Sequence, residues 1–475
     1  MTAARSIRDL PGPRGLPLIG NAHQMFPPTR VHLKAEAWAR RYGPIARIRI
    51  GRRELIGIAD AEAVNEILRD RPDGFRRWRE QEMVFREMGA SGVFTAEGTE
   101  WKRQRRLVVT ALNTNHIHRY YEIVRTCTER LYARLREAAA SGAVLHITDE
   151  LTSFTVDTTS WLALGHDLNT LQRGDDELQG HIRRVMRMSA HRLAMPYPYW
   201  RRIRLPADRK LDRATRAMRD AIHGFIAQAR ARMDASPGAY EEPRNLLEGM
   251  LAAQHADGSF TDDEIVGNVF VILLAGEDTT AHTLAWTLWL LGPRPDIQRQ
   301  IAEEATAALG QDTVPRDYET AENLPYTDAV LQESMRLRSV TGALPLEPIH
   351  DVTICDTHIP ADTRLVLLMR YVCRAAAGAT NEFLPERWIE DNESTRPTKH
   401  LSFGAGPRFC PGRNVAMLES KAVLAMIARN FDVQLDESRG PVTERWEFSI
   451  VPRGLRLRLQ ERVPDAVPTA AASTE

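Results

Sequence analysis

The chain has 475 residues and equal numbers of basic (Lys+Arg 63) and acidic (Asp+Glu 63) side chains. Zero formal net charge excludes a role that depends on a globally basic surface, such as non-specific nucleic-acid binding. A hydrophobic content of 43% is enough for one large core or for two to three ordinary domains. The four cysteines, Cys127, Cys355, Cys373 and Cys410, form no CxxC pair, which argues against a disulfide framework and suits reduced cytosolic thiols.

In chain order, "MTAARSIRDLPGPRGLPLIGN" has no apolar run long enough for a signal peptide or a membrane anchor, so a cytoplasmic protein without an anchor is expected. Residues 1–10 are expected to be flexible, and 11–21, rich in Pro and Gly, to run as an ordered, extended lead-in. "IARIRIGRRELIGIA" (45–59) alternates and turns at Gly51, which predicts a β-hairpin. Helical patterns follow over 119–140, 178–195, 207–234, 262–291, 296–309 and 325–338. "HRLAMPYPYWRRIRLP" (191–206) mixes aromatics with arginines; it reads as an interhelical loop, and a mobile entrance or a segment resting on a membrane stays open. "LRLRL" (455–459) predicts a further strand, and 461–475 a disordered tail. No repeat and no linker divides the chain. The expectation is one large, mainly α-helical domain over 11–460, with small β-sheets near its ends in sequence.

The long helix, 262–291, is the best signalled element. Thr261 and Glu264 make a capping box at its start, and Gly292-Pro293 ends it. Thirty residues at about 1.5 Å each would cross the domain. "IVGNVFVILLA" is apolar nearly all round, as in a buried helix; Glu277, Asp278 and His282 argue against a membrane span. Its centre reads Ala275-Gly276-Glu277-Asp278-Thr279-Thr280. Glycine is costly inside a helix by about 1 kcal/mol, and Thr279 can bond the Ala275 carbonyl. Either a site or a helix bend with solvated acids accounts for this segment.

"FGAGPRFCPG" (403–412) sets Cys410 among glycines at the mouth of a helix pattern. A helix N-terminus favours an anion, so Cys410 is expected to have a lowered pKa. No histidine or acid accompanies it as a base, and no further ligands are spaced for zinc. One thiolate suits haem iron, where the porphyrin supplies four nitrogens. An inert buried cysteine is the alternative, against which the glycines argue, because they let a flat ligand approach the backbone.

These residues resemble the haem-binding signature of the cytochrome P450 family: Phe403, Gly406, Arg408, Cys410 and Gly412 fill its fixed positions. "AGEDTT" (275–280) resembles the family's oxygen-activation segment, "ESMR" (Glu333, Arg336) its E-x-x-R motif, "FLPERW" (383–388) the segment that supplies Arg387, and "WKRQR" (Trp101 to Arg105) its W-x-x-x-R motif. The resemblance spans residues 11 to 460 and implies the family's fold, a soluble, bacterial-type enzyme, and haem b (iron protoporphyrin IX) between the long helix and the Cys410 helix. By resemblance Cys410 is the axial thiolate and metal ligand, and Phe403 shields its sulfur. Gly404, Gly412, Ala275 and Gly276 would adjoin the cofactor, and Trp101, Arg105 and Arg408 would meet its propionates. Asp278 and Thr279, beside Glu277, would relay protons. Glu333, Arg336 and Arg387 would form a structural ion triad. The family often places a further basic residue on the strand after E-x-x-R; His350 is what this sequence offers there.

The same resemblance implies a monomeric oxygen-dependent monooxygenase, with electrons from a separate ferredoxin or flavodoxin and its NAD(P)H-dependent reductase. Lys102, Arg103, Arg106 and Arg413 are candidates for that docking face. Substrate contacts would include Met83, Val84, Phe85 and Val93 before Trp101, and Ile272 and Ala275 in the long helix. Thr341, Ala343 and Leu344 would follow the E-x-x-R helix, with Ile450 near the C-terminus. Most are apolar, so the substrate expected is a lipophilic small molecule. A peroxide-driven or rearranging enzyme and a haem sensor are the competing readings.

Overall fold

In the computed structural model, residues 5–174, 177–195, 197–236, 238–258, 260–375, 381–389 and 401–462 are described. The alternation at 45–59 forms the predicted hairpin: Ile45–Ile50 and Arg53–Ile58 pair antiparallel, with Gly51 at φ 60° in the turn. The sheet does not stop there. Arg53–Ile58 pairs in parallel with Arg364–Leu367, which pairs antiparallel with Leu344–Pro348, and that strand in turn with Phe75–Arg77. The sheets are therefore not confined to the ends of the sequence. The added strands are three to five residues long, and two of the three pairings that add them join residues roughly 300 apart in sequence, which local alternation cannot register.

The first described residues are not loose: Arg5–Ser6 pairs in parallel with Thr357–Ile359, and Ser6 caps a short 3-10 turn. Near the other end, Leu457–Glu461 pairs antiparallel with Phe431–Leu435, so the strand expected at 455–459 lies two residues further on. Residues 1–4, 376–380 and 463–475 lie outside the described residues.

All six predicted helices form: Thr114–Ser141, Glu177–Ala194, Pro206–Asp234, Asp262–Leu291, Pro295–Leu309 and Pro325–Leu337. The central helix, Asp262–Leu291, has the predicted capping box, with Thr261 accepting from the Glu264 N–H. It packs against Ile147–Leu164, whose run "ITDELTSFTVDTTSWLAL" buries threonines on several faces and so shows no amphipathic period. Another unsignalled helix, Gly98–Ala111, carries Trp101 and Arg105. Among the described residues, no helix is long and apolar enough to cross a membrane.

Candidate active site

The loop before Cys410 closes on itself, with the Cys410 N–H donating to the Phe403 carbonyl at 2.9 Å. Gly404 and Gly406 take φ of 77° and 67°, and a Cβ on Gly406 would stand 2.6 Å from the Leu68 carbonyl oxygen. The helix that follows is Arg413–Asn430, capped by Gly412, so Cys410 precedes its first turn instead of lying in it. The Gly412 and Arg413 N–H groups still reach the sulfur, and Arg105 is near. Burial outweighs them and pushes the thiol up, which corrects the expectation of a lowered pKa for the free thiol. A metal deprotonates a thiol that coordinates it outright, so burial does not disqualify Cys410 as a ligand. All four cysteines are described, and Cys410 is the one in the wall of the main cavity.

That cavity holds about 2070 Å³. Phe403, Gly404, Arg408 and Gly412 line it beside Cys410, and Trp101 and Arg105 enter from Gly98–Ala111. The Arg408 guanidinium lies 4.7 Å above the Trp101 ring, and Arg105 lies 4.7 Å above Phe409. From the central helix come Ala275, Gly276, Glu277, Asp278 and Thr279. The Thr279 hydroxyl donates to the Ala275 carbonyl at 2.8 Å, and Thr155 donates to the Glu277 carbonyl at 2.7 Å. A Cβ on Gly276 would meet the Thr159 hydroxyl at 2.5 Å, so glycine is what lets the two helices approach.

Charge at this segment is set by burial. Glu277 is 2% exposed, and desolvation with the neighbouring Asp278 pushes it up to about 8. Asp278 rises to about 6, through burial first and Glu447 second. His282, buried and bonded to the Ser449 hydroxyl at 2.6 Å, falls to about 4. With carboxyls raised this far, the segment can hold protons near neutral pH.

Glu333 holds Arg336 through two bonds of 2.8 Å, and the Arg387 guanidinium stands 3.5 Å away. Trp388, unnoticed in the sequence, donates to the same carboxylate at 2.9 Å. Met83, Val84, Phe85, Val93, Ile272, Thr341, Ala343 and Leu344 line the cavity. Ile450 does not. Ser449 and Val451 face the cavity, and strand alternation turns Ile450 away, where it packs by Gly342. His350 is also misplaced by the sequence reading: it is exposed and outside the cavity wall. Six residues separate it from Leu344, and an extended chain covers up to about 20 Å in that distance.

The cavity wall contains charged residues that sequence reading missed: Arg71, Arg77 and Glu419. Burial pushes Glu419 up to about 8. Nothing periodic marks "FRRW", and arginines in such a run read as solvated. Of the docking candidates, Lys102 and Arg106 reach Asp73 and Asp257 at 3.2 and 3.8 Å, Arg103 pairs with Glu264, and Arg413 is exposed.

The cytochrome P450 family model matches residues 10–459. The chain belongs to the cytochrome P450 family. It is 29% identical to the mitochondrial 25-hydroxyvitamin D-1 alpha hydroxylase of Mus musculus over 96% of this chain and 93% of that protein. It is 25% identical to the thromboxane-A synthase of Mus musculus (95% and 91%), and 24% identical to the chloroplastic LUTEIN DEFICIENT 5 of Arabidopsis thaliana (89% and 72%). The expected cytoplasmic location is overturned by these relatives, which include mitochondrial and chloroplastic proteins. As a cytochrome P450 the chain is an oxidoreductase, a monooxygenase by family, and binds haem through a cysteine thiolate. A cavity with one thiol in its wall, glycines beside it and buried arginines around it fits an iron porphyrin with two carboxylates.

Proposed function

We propose that this cytochrome P450 is a haem-thiolate monooxygenase in which Cys410 would supply the thiolate that holds the iron. It places one oxygen atom from O2 into a lipophilic small molecule and draws electrons from a separate ferredoxin or flavodoxin system. The observation that carries this reading is that Cys410 and the Asp278-Thr279 pair line one cavity. Haem, when bound, supplies reductive activation of dioxygen, which thiolate donation favours.

The chain's own residues do the rest. Trp101, Arg105 and Arg408, all in the cavity wall, would hold the propionates through charge-assisted bonds. Asp278, raised to about 6, holds and releases a proton near neutral pH, and the Thr279 hydroxyl beside it can pass that proton on. Val84, Phe85, Val93 and Ile272 exclude water and seat apolar substrate.

The test is a screen of lipophiles for spectral shift on binding, followed by turnover. The expected result is an oxygenated product that requires NAD(P)H and an electron carrier. Product formed with peroxide alone would sink the reading. Cys410→Ala should abolish the thiolate-type carbon monoxide difference band, and an unchanged band would remove Cys410 from its role.

A further inference from the structure

The central helix carries His282 one turn past Asp278. This i, i+4 spacing sets the two side chains on one face, with Cβ atoms about 5–6 Å apart. His282 is 5% exposed and belongs to none of the recognised motifs. It is met by a hairpin, Thr443–Trp446 and Ile450–Arg453, whose strands pair antiparallel around a turn at 447–449. The hairpin is fixed on the helix: the Trp286 indole donates to the Ile450 carbonyl at 2.8 Å, and the Ile450 N–H donates to the Val340 carbonyl at 2.9 Å. The Glu447 N–H closes the turn on the Ser449 carbonyl at 3.0 Å. The turn then holds the Ser449 hydroxyl 2.6 Å from Nδ1 of His282.

The two ends of this arrangement differ in exposure. Ser449 and His282 are buried, whereas the Glu447 side chain is 37% exposed and pairs with the exposed Arg453. Arg445, also exposed, stands 3.6 Å from Glu447. Asp278, His282, Glu447, Ser449 and Arg453 all line the cavity that holds Cys410. Glu447 and Arg453 are the charged groups that act on both Asp278 and His282, so the four lie together. Glu277, the other acid of the segment, is influenced by Asp278 and Arg183 instead. Burial lowers the His282 ring to about 4 and so keeps it neutral. A neutral imidazole is donor at one nitrogen and acceptor at the other, so it can take a proton on one side and release one on the other. An apolar substrate seated in the cavity brings Asp278 no proton from that side. The hairpin brings a surface carboxylate close.

We infer that the turn at 447–449 is a proton entrance: Glu447 collects protons at the surface, and Ser449 and His282 hand them to Asp278. The transfer is balanced. The Ser449 hydroxyl gives its proton to Nδ1 and takes another from the Glu447 side, while the proton on Nε2 passes to the Asp278 carboxylate. One proton enters and one arrives. The ring is left uncharged as its other tautomer, and returns to the first before the next transfer. His282 and Ser449 act on the reaction only through Asp278, as positioning residues. The inference rests on the acid–alcohol reading of Asp278 and Thr279 proposed above, and goes beyond it by assigning where the proton comes from.

The test follows proton movement in the ferric holoenzyme without turnover. Absorbance is recorded as pH is varied from about 4.5 to 8.5, and the step that disappears in Asp278→Asn belongs to Asp278. Glu447→Gln should move the midpoint of that step down by roughly half a pH unit or more, because a like charge is lost, and Arg453→Gln should move it up. A rapid jump from about pH 5 to pH 8 then times proton release from Asp278, which His282→Phe and Ser449→Ala should slow about tenfold or more. Under turnover, with a plant-type ferredoxin and its reductase as electron source, the same two variants should release a larger share of the consumed O2 as peroxide. Wild-type release rates in both variants would overturn the inference, and so would a midpoint unmoved by Glu447→Gln. A purely structural role for His282 predicts a lower melting temperature at an unchanged release rate. If His282→Phe does not fold, Ser449→Ala decides: slowed release supports the entrance, and the wild-type rate refutes it. A titration in which Asp278→Asn removes no step counts against the acid role of Asp278 in the proposed function and takes this inference with it. A step lost in Asp278→Asn, with wild-type rates in the other variants, counts against this inference alone.

Discussion

Glu277 shows how a single residue can be plain in the sequence and yet have its chemistry set by its surroundings. Its carboxyl is buried, with Oε2 lacking a hydrogen-bond partner. Held up to about 8 against 4.5 when unfolded, it keeps a proton in the folded state that the unfolded chain has lost. Over that interval the folded state binds more protons, so stability falls as pH rises, by about 1.4 kcal/mol per pH unit for one group. The contribution is whole below pH 4.5 and gone above 8. His282 falls to about 4 and Asp278 rises to about 6, whereas Glu277 and Glu419 both rise to about 8. Denaturant midpoints of the ferric holoenzyme should therefore decline from pH 6.5 to 8, and less steeply in Glu277→Gln. An identical slope in the variant would show that Glu277 does not titrate there. The motif located this residue, but its protonation depends on packing against Ile147–Leu164, which the motif does not record.

At the scale of elements, the central helix works because three of its positions are small or polar where another segment crosses. Gly267 is the tightest: a Cβ there would stand 2.0 Å from the Ser91 carbonyl oxygen. Next to it the Asn268 side chain accepts from the Val93 N–H at 2.7 Å, and Gly276 admits Thr159. These contacts fix the loop through Val93 to Glu97, which carries the cavity-lining Val93 and the Glu97 that meets Arg408. Gly267→Ala should lower stability by about 1–3 kcal/mol, because overpacking against backbone outweighs the gain of about 1 kcal/mol in helix propensity. Thermal unfolding checks this, and a stabilised variant would contradict it. The capping box and Gly292-Pro293 made the two ends of this helix legible; the reason for Gly267 was not, since its neighbour is distant in sequence.

For the whole molecule, Glu333 joins regions that the chain keeps apart. It bonds Arg336 on its own helix, the Leu384 N–H and the Trp388 indole, with Arg387 at 3.5 Å. Arg336 is 1% exposed, so Glu333→Ala would leave a buried cation without its carboxylate, at a cost of about 3–5 kcal/mol. The expected result is a large fall in melting temperature with poor haem incorporation, whereas melting within a degree or two of wild type would make the cluster dispensable. Lys102, Arg103 and Arg106 are each paired with a carboxylate, so the surplus positive surface there is smaller than a count of basic residues suggests.

The sequence by itself determined the long capped helix, the hairpin at 45–59, the six periodic helices, and the thiol and acid motifs that place the chain in its family. Each is written in contacts or spacings of a few residues, where periodicity and capping operate. Tertiary structure alone decided the five-stranded sheet, the turning of Ile450 out of the cavity, the exposure of His350, the raised pKa of Cys410, and the placing of Arg71 and Arg77 in the cavity wall. Those outcomes depend on desolvation and on partners hundreds of residues away, and neither is carried by local pattern.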